Sequence, residues 1–122
     1  MKLHTAMHRA ALVVVLLLLV GCGSGKPAPP PQQQIDVVGI RSELLSIGQA
    51  ERQYFVTHSS YGTLDDLEQD KLLTGGADRR GYTFTVQVDG AQGFTVTAAP
   101  SDPEKEKWPT LSMDQTMQVS QR

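Results

Sequence analysis

The chain has 122 residues, with 11 Lys and Arg against 13 Asp and Glu and a formal net charge of −2. This length accommodates one small domain, and the scattered cations exclude the basic surface that nucleic-acid binding requires. Hydrophobic residues make up 39% of the chain and charged residues 20%, a composition typical of a folded domain. A single cysteine excludes an internal disulfide.

The first 21 residues have the pattern of an export signal. Lys2 and Arg9 occur there without any acidic residue, and an unbroken apolar run follows at 10–20. A membrane-spanning helix needs about 20 apolar residues, whereas this run has the length of the apolar centre of a secretory signal peptide. We therefore predict that residues 1–21 are a signal peptide, and their removal brings the net charge to about −4 because two cations are lost.

The end of the apolar run resembles the signal of bacterial lipoproteins, in which small or apolar residues precede a cysteine. Here Leu19, Val20 and Gly21 precede Cys22. The resemblance implies cleavage between Gly21 and Cys22, a diacylglycerol thioether on Cys22, and acylation of the new amine by a fatty acid such as palmitate. Two or three acyl chains anchor a protein almost irreversibly, because each buried methylene contributes about 0.8 kcal/mol. The alternative is a secreted protein with a free thiol.

The residue after the cysteine bears on localisation. In lipoproteins of two-membrane bacteria, an aspartate at this position commonly retains the protein in the inner membrane, and here the residue is Gly23. The resemblance therefore favours the outer membrane, with the protein facing the periplasm or the cell surface. Residues 22–34 then predict the lipidated cysteine and a tether, because 23–34 is rich in Gly, Pro and Gln and has no hydrophobic period. Its prolines favour semi-rigid polyproline II structure.

The segment from Ile35 to Thr57 predicts one long amphipathic helix at the start of a globular domain, 35–122. Apolar residues recur at helical spacing on one face: Val37, Ile40, Leu44, Ile47, Tyr54 and Phe55. The opposite side is assigned to polar residues: Ser42, Ser46, Gln49, Gln53 and Thr57. Such a helix gains most of its stability by packing its apolar face on another layer, and the later strands are the candidate.

Two residues stand out in this helix. Glu51 falls near the middle of the apolar stripe, where it is either a general acid with a raised pKa or a residue at the edge of the packed face. In the second case it pairs with Arg52, with Arg79 or Arg80, or with free backbone donors, and we favour this interpretation because no second catalytic group is evident beside it. Gly48 either allows another backbone to come close or weakens the helix.

A short second helix is predicted from Leu64 to about Lys71, with Thr63 as its N-cap and Asp66 as the partner in a capping arrangement. Leu64, Leu67 and Leu72 are expected to face the core. The acidic residues here are Asp65, Asp66, Glu68 and Asp70. Counted from Asp66, a calcium loop needs Gly and Glu where Lys71 and Ala77 stand, so a solvated acidic face is favoured.

The remaining chain predicts antiparallel strands. Tyr82 to Asp89 and Phe94 to Ala99 alternate apolar and polar residues, and the turn residues 89–93 join them into a hairpin. Residues 100–109 predict an exposed loop from which Trp108 folds back on the core, and residues 110–113 and 117–120 predict two weaker edge strands. The expected fold class is α+β, with the long helix packed on a small antiparallel sheet because the sheet must bury its apolar face.

Several phrases of the sequence, in this order, resemble the head domain of type IV pilins and pseudopilins. They are Ala50 to Tyr54, Tyr61-Gly62, Leu64, Leu67, Gly81 to Val86, Gly93 to Ala98, and Asp114 to Thr116. The resemblance covers 35–122 and implies a long helix followed by a loop and a short antiparallel sheet. Pilins, however, begin the mature chain with a long apolar helix containing an early glutamate, whereas this sequence has a lipid signal and a tether, which argues against the usual polymerisation.

The functional expectation is a membrane-anchored, non-catalytic module that binds an envelope protein, accessory to type IV pilus or type II secretion-like machinery. One alternative is an envelope enzyme inhibitor or structural lipoprotein unrelated to pili. A further alternative is a small hydrolase that uses His58 and Glu51, although a lone histidine near a helix end is more often a cap or a surface residue. No cofactor or metal is expected, because His58 is the only histidine left after removal of the predicted signal peptide, and no pair of His or Cys with ligand spacing remains.

Overall fold

The first helix, α1, spans Pro31–His58 in the computed structural model, which describes Gly23 and residues 25–122. It begins four residues before the predicted start, Ile35, so the predicted tether is too long at its C-terminal end. Pro30 is extended, with φ −53° and ψ 146°. Pro31 occupies the first helical turn, where its fixed φ suits a helix and its missing N–H costs nothing. Non-helical backbone therefore ends at Pro30.

The C-terminal end of α1 is closed by a left-handed residue. Ser59 has φ 56°, and its N–H donates to the carbonyl oxygen of Phe55 at 2.8 Å. This geometry satisfies one of the free carbonyls of the last turn and turns the chain away from the helix axis. The helix therefore ends at His58, one residue after the predicted end at Thr57.

The buried face of α1 lies over the middle strands of the sheet. Its fully buried apolar residues are Ile40, Leu44 and Ile47, with Ala50 almost so. Val37 and Tyr54 are partly buried and pack against the same core. Burying each of the large aliphatic side chains contributes roughly 1.5–3 kcal/mol. The predicted packing of the helix on the strands is confirmed.

Gly48 lies on this buried face, and side chains rather than another backbone come close to it. A Cβ at this position would lie 2.5 Å from the Met117 sulfur and 2.6 Å from Met113 Cε. Two methionines therefore occupy the space that a larger residue at Gly48 would need.

The second helix, α2, spans Leu64–Gln69 and has the predicted capping box. The Asp66 N–H donates to Thr63 Oγ1 at 3.2 Å, and the Thr63 N–H donates to Asp66 Oδ2 at 2.8 Å. The Thr63 side chain and backbone hydrogen bonds hold the pKa of the Asp66 carboxyl below its usual range. The helix ends two residues before Lys71, which has a left-handed φ of 59°.

The turn after α2 changes which leucine reaches the core. Leu64 and Leu67 are buried as predicted, but Leu73 is buried where Leu72 was expected, and Leu72 is only partly buried. The left-handed Lys71 breaks the helical period, so the 3.6-residue spacing no longer applies beyond it.

Five antiparallel strands follow in one sheet, ordered β1-β2-β3-β4-β5 as in the chain. They are β1 (Asp78–Arg79), β2 (Tyr82–Asp89), β3 (Gly93–Pro100), β4 (Leu111–Asp114) and β5 (Val119–Gln121). The predicted hairpin pairs along its whole length, from Tyr82 opposite Pro100 to Asp89 opposite Gly93. The two strands predicted after the loop are confirmed within two residues at each end, but only β5 lies at an edge, because β4 pairs with both β3 and β5. β1 was not predicted, because two residues are too few to show alternation.

The sheet has one apolar and one polar face. Its buried residues face α1: Tyr82, Phe84, Phe94, Val96, Ala98, Leu111 and Met113. The alternate positions carry mainly Thr, Ser and Gln and are half-buried or exposed. The fold class is therefore α+β, with one long helix packed on an antiparallel sheet, as the sequence predicted.

The connection between β3 and β4 is fastened to the start of α1. It contains a short 3-10 helix, Pro103–Lys105. Lys105 Nζ donates to Asp36 Oδ2 at 3.0 Å and to the Arg80 carbonyl oxygen at 2.7 Å, and it lies 4.8 Å from the centre of the Trp108 ring. Trp108 is partly buried against the core, as predicted.

Candidate functional site

The predicted cleavage and lipidation residues, Gly21 and Cys22, lie outside the described part of the chain. The described tether residues, Gly23 and 25–30, have no regular secondary structure and are exposed. Within Gly23 and residues 25–122, no helix has both the length and the apolar character needed to cross a membrane.

Glu51 is buried in the domain rather than placed at an edge, which corrects one prediction. Its side chain is fully buried, and Oε2 accepts a hydrogen bond from the Gly62 N–H at 2.9 Å. The predicted partnership with a backbone donor is confirmed, but no pairing with Arg52, Arg79 or Arg80 is present. Arg79 binds Glu43 instead. Glu51 therefore joins α1 to the turn that leads into α2.

The environment of Glu51 favours its neutral form. Burial raises the pKa of the Glu51 carboxyl to about 7, the charge of Asp66 adds to the increase, and the Gly62 hydrogen bond opposes it. Its second oxygen, Oε1, is buried and has no hydrogen-bond partner among the described residues. A buried carboxylate with one unpaired oxygen is costly when charged, so protonation relieves the penalty.

His58 has a separate partner and is not joined to Glu51. Its Nε2 lies 2.6 Å from Asp70 Oδ2, and its ring stacks on Tyr54 with centroids 3.9 Å apart. The Glu51 carboxyl is instead buried against Gly62. The hydrolase alternative requires a nucleophile and a base within hydrogen-bond reach, about 2.6–3.2 Å. Glu51 is bonded to Gly62, before α2 in the chain, and His58 to Asp70, after it, and no hydrogen bond joins the two, so the arrangement does not support that mechanism.

Three of the four acidic residues in and directly after α2 are engaged in the fold, and the fourth, Asp65, is exposed. Asp66 belongs to the capping box, Glu68 Oε1 accepts from the Gly76 N–H at 2.7 Å, and Asp70 contacts His58. Across the described residues, no three His, Cys, Asp or Glu side chains are grouped in a way that would hold a metal ion.

An apolar stripe of exposed residues lies on the side of α1 that faces away from the sheet, and sequence analysis assigned this side to polar residues. The stripe consists of Ile35, Val38, Leu45 and Val56, with exposed fractions of 61%, 67%, 39% and 83%. We call these four residues the α1 stripe. Val38 and Val56 are separated by eighteen residues, which is five turns of about 3.6 residues, so they lie in line along the helix.

The polar positions along the α1 stripe are Ser42, Gln49 and Arg52. Together with the four apolar residues they follow alternating steps of three and four, the spacing at which helices pack side by side. The sequence held this signal in the spacing from Ile35 to Val56. It was missed because the prediction followed the stronger apolar face of the helix, so the exposed valines and leucine on the other side were not counted.

The charges near the α1 stripe are positive. Arg52 is exposed and forms no hydrogen bond or ion pair with the described residues, and Arg41 is half-buried with Nη2 3.2 Å from Gln121 Oε1. The three acidic residues of α1 are used within the domain: Asp36 by Lys105, Glu43 by Arg79 and Glu51 by Gly62. The charged side chains near the α1 stripe are therefore cations, and neutral polar residues such as Ser42 and Gln49 lie between its apolar members.

Comparisons with protein-family models, with curated proteins and with solved structures found no match.

Proposed function

We propose that this protein is a lipid-anchored protein of the bacterial envelope whose pilin-like domain binds another protein through the exposed face of α1, without catalysis. The lipoprotein-like signal at Leu19 to Cys22 supports the anchor. The order of the pilin-like sequence phrases, together with a long helix followed by an antiparallel sheet, supports the likeness to a pilin head. The observation that carries the proposal is the α1 stripe.

The α1 stripe supports binding because none of its four residues belongs to the hydrophobic core of the domain or to the partly buried residues packed on that core. The four side chains lie opposite the buried face of the same helix and extend for about 31 Å along it, at 1.5 Å per residue. Single exposed apolar residues are ordinary on protein surfaces, whereas an aligned set on one element is typical of an interaction site. Residues kept apolar on the outside of a small domain favour a partner that covers them.

The resemblance to pilins and pseudopilins suggests where to look for that partner. Envelope proteins of type IV pilus or type II secretion-like machinery are the first candidates. Gly23, in the position where aspartate commonly causes inner-membrane retention, favours an outer-membrane location for the anchor.

The anchor is tested by metabolic labelling with a clickable fatty acid. Wild-type protein is expected to take up the label and to fractionate with membranes, and Cys22→Ser is expected to lose the label, since Cys22 is the only cysteine in the chain. A wild-type protein that is soluble and unlabelled would contradict the anchor.

The binding role is tested by a photo-crosslinking amino acid placed at Leu45 in the α1 stripe, with Thr85 on the polar sheet face as the matched control. The expected result is a crosslinked pilus or secretion component, identified by mass spectrometry, at Leu45 and not at Thr85. A crosslinked hydrolase would instead favour the inhibitor alternative. Equal crosslinking at both positions, or none at Leu45, would contradict the role of the stripe.

A further inference from the structure

We infer that the α1 stripe is the docking site for an amphipathic helix of another protein that presents carboxylates to Arg41 and Arg52. This inference rests on the proposed function and specifies the chemistry of the partner.

The shape of the α1 stripe fits a helix. Its four apolar residues and the three polar positions between them, Ser42, Gln49 and Arg52, form a single narrow row with alternating spacings of three and four residues. A narrow row of this kind packs against the matching row of a second helix. A helix that lies in a membrane surface presents a wider apolar face with basic residues along the polar side. Ser42 and Gln49 interrupt the row, so a partner helix fits it better than a lipid surface does.

The charge on this face calls for acidic groups on the partner. Arg41 and Arg52 are eleven residues apart, which is close to three helical turns and about 16 Å at 1.5 Å per residue. Arg52 is exposed and has no partner among the described residues, while the Arg41 guanidinium meets only an amide oxygen. Carboxylates about three turns apart on a facing helix would match both guanidinium groups, and such complementarity favours one partner over others.

A second copy of this chain does not supply those carboxylates. The acidic residues of α1 are Asp36, Glu43 and Glu51, and each is bound within its own domain. In a parallel pair of α1 helices, Arg52 would meet Arg52. In an antiparallel pair with Leu45 opposite Leu45, Arg52 would meet Val38. Neither arrangement pairs the arginine, so the charges favour a different protein.

The test uses the full chain in nanodiscs of neutral phosphatidylcholine and three synthetic helical peptides. The peptides share one apolar row and carry Glu, Gln or Lys at two positions eleven residues apart. The Glu peptide is expected to bind wild-type protein at least tenfold more tightly than the Lys peptide, with an affinity that falls as salt is added. Arg52→Glu is expected to abolish or reverse this preference. Lys107→Glu is the matched control, because Lys107 is exposed on the β3–β4 connection, and it is expected to keep the preference.

Four outcomes would overturn the inference. The first two are equal binding of the three peptides and no binding of any peptide. The third is that the protein binds vesicles containing anionic lipid but does not bind the Glu peptide. The fourth is a homodimer through Leu45 that persists in Arg52→Glu. Circular dichroism of each variant shows that the domain remains folded. The proposed function fails separately, when Leu45 captures no envelope component. If Leu45 captures one regardless of the charge at Arg52, only the partner chemistry is wrong.

Discussion

At the scale of single residues, Glu51 is a carboxyl group whose charge is costly to the folded domain. Its side chain is fully buried, and its Oε1 has no hydrogen-bond partner in the described part of the chain. Its Oε2 accepts a hydrogen bond from the Gly62 N–H. The sequence already indicated that Glu51 lies on the apolar face of α1 that packs on the sheet, where a carboxylate needs a partner or a function. The partner was not predictable from spacing, because Gly62 reaches Glu51 only through the left-handed turn at Ser59.

The pH dependence of stability follows from this environment. The pKa of Glu51 in the folded state is about 7, above the ordinary value of 4.5 for a glutamate carboxyl. The folded state therefore holds the proton between these values while the unfolded state releases it, so stability contributed by neutral Glu51 is full below pH 4.5 and is lost as the pH rises through 7. The loss amounts to about 3 kcal/mol, at 1.36 kcal/mol for each pKa unit.

Glu51→Gln is expected to remove this component of the pH dependence, because the amide keeps an oxygen for Gly62 and does not ionise. The measurement is the free energy of unfolding in urea between pH 4.5 and 8, followed by Trp108 fluorescence. Glu106→Gln, at an exposed position, is the control and should keep the wild-type slope. Parallel curves for wild type and Glu51→Gln would show that Glu51 does not titrate in this range.

At the scale of elements, α2 depends on its cap. A helix of six residues has little intrinsic stability. The capping box satisfies two of its N-terminal donors, and the carboxylate of Asp66 adds favourable charge at the same end.

Thr63→Ala is expected to lower the free energy of unfolding by about 1 kcal/mol, as is usual for the loss of an N-cap side chain. Urea unfolding at pH 7 measures the change. Thr57→Ala makes the same chemical change on an exposed position of α1 and should have little effect. Equal losses in the two variants would indicate that the cap contributes nothing specific.

The elements also show which parts of the fold were predictable from sequence. The capping box, the β2–β3 hairpin and the buried face of α1 all depend on neighbours close in the chain, and each was predicted. The start of α1 was not, because Pro31 was counted with the prolines of the tether although its position suits a first helical turn. The α1 stripe was missed for a different reason, since its spacing was present in the sequence but a stronger apolar face of the same helix decided the assignment.

At the scale of the whole molecule, the N-terminal and C-terminal parts of the chain are joined by a buried ion pair. Lys105 and Asp36 are 69 residues apart in sequence, and both side chains are mostly buried. The Gln32 amide also donates to Asp36, at 3.2 Å. This contact holds the β3–β4 connection against the first turns of α1.

Lys105→Met is expected to destabilise the domain by about 3 kcal/mol, because Asp36 is left buried without its cation. The double variant Asp36→Ala with Lys105→Met should lose less than the sum of the two single variants. Urea unfolding of all four proteins gives the coupling energy. Additive losses would indicate that the pair is not coupled in solution.

The two prolines at the beginning of α1 have a mechanical consequence. Both Pro30 and Pro31 have a fixed φ, so the last part of the tether and the first turn of the helix move as one piece. Bending is easier upstream, at Gly23 and Gly25. If Cys22 carries the proposed lipid, the domain would rotate about these glycines as a rigid body. The exposed side of α1 would then reach neighbouring proteins of the envelope over a range of orientations.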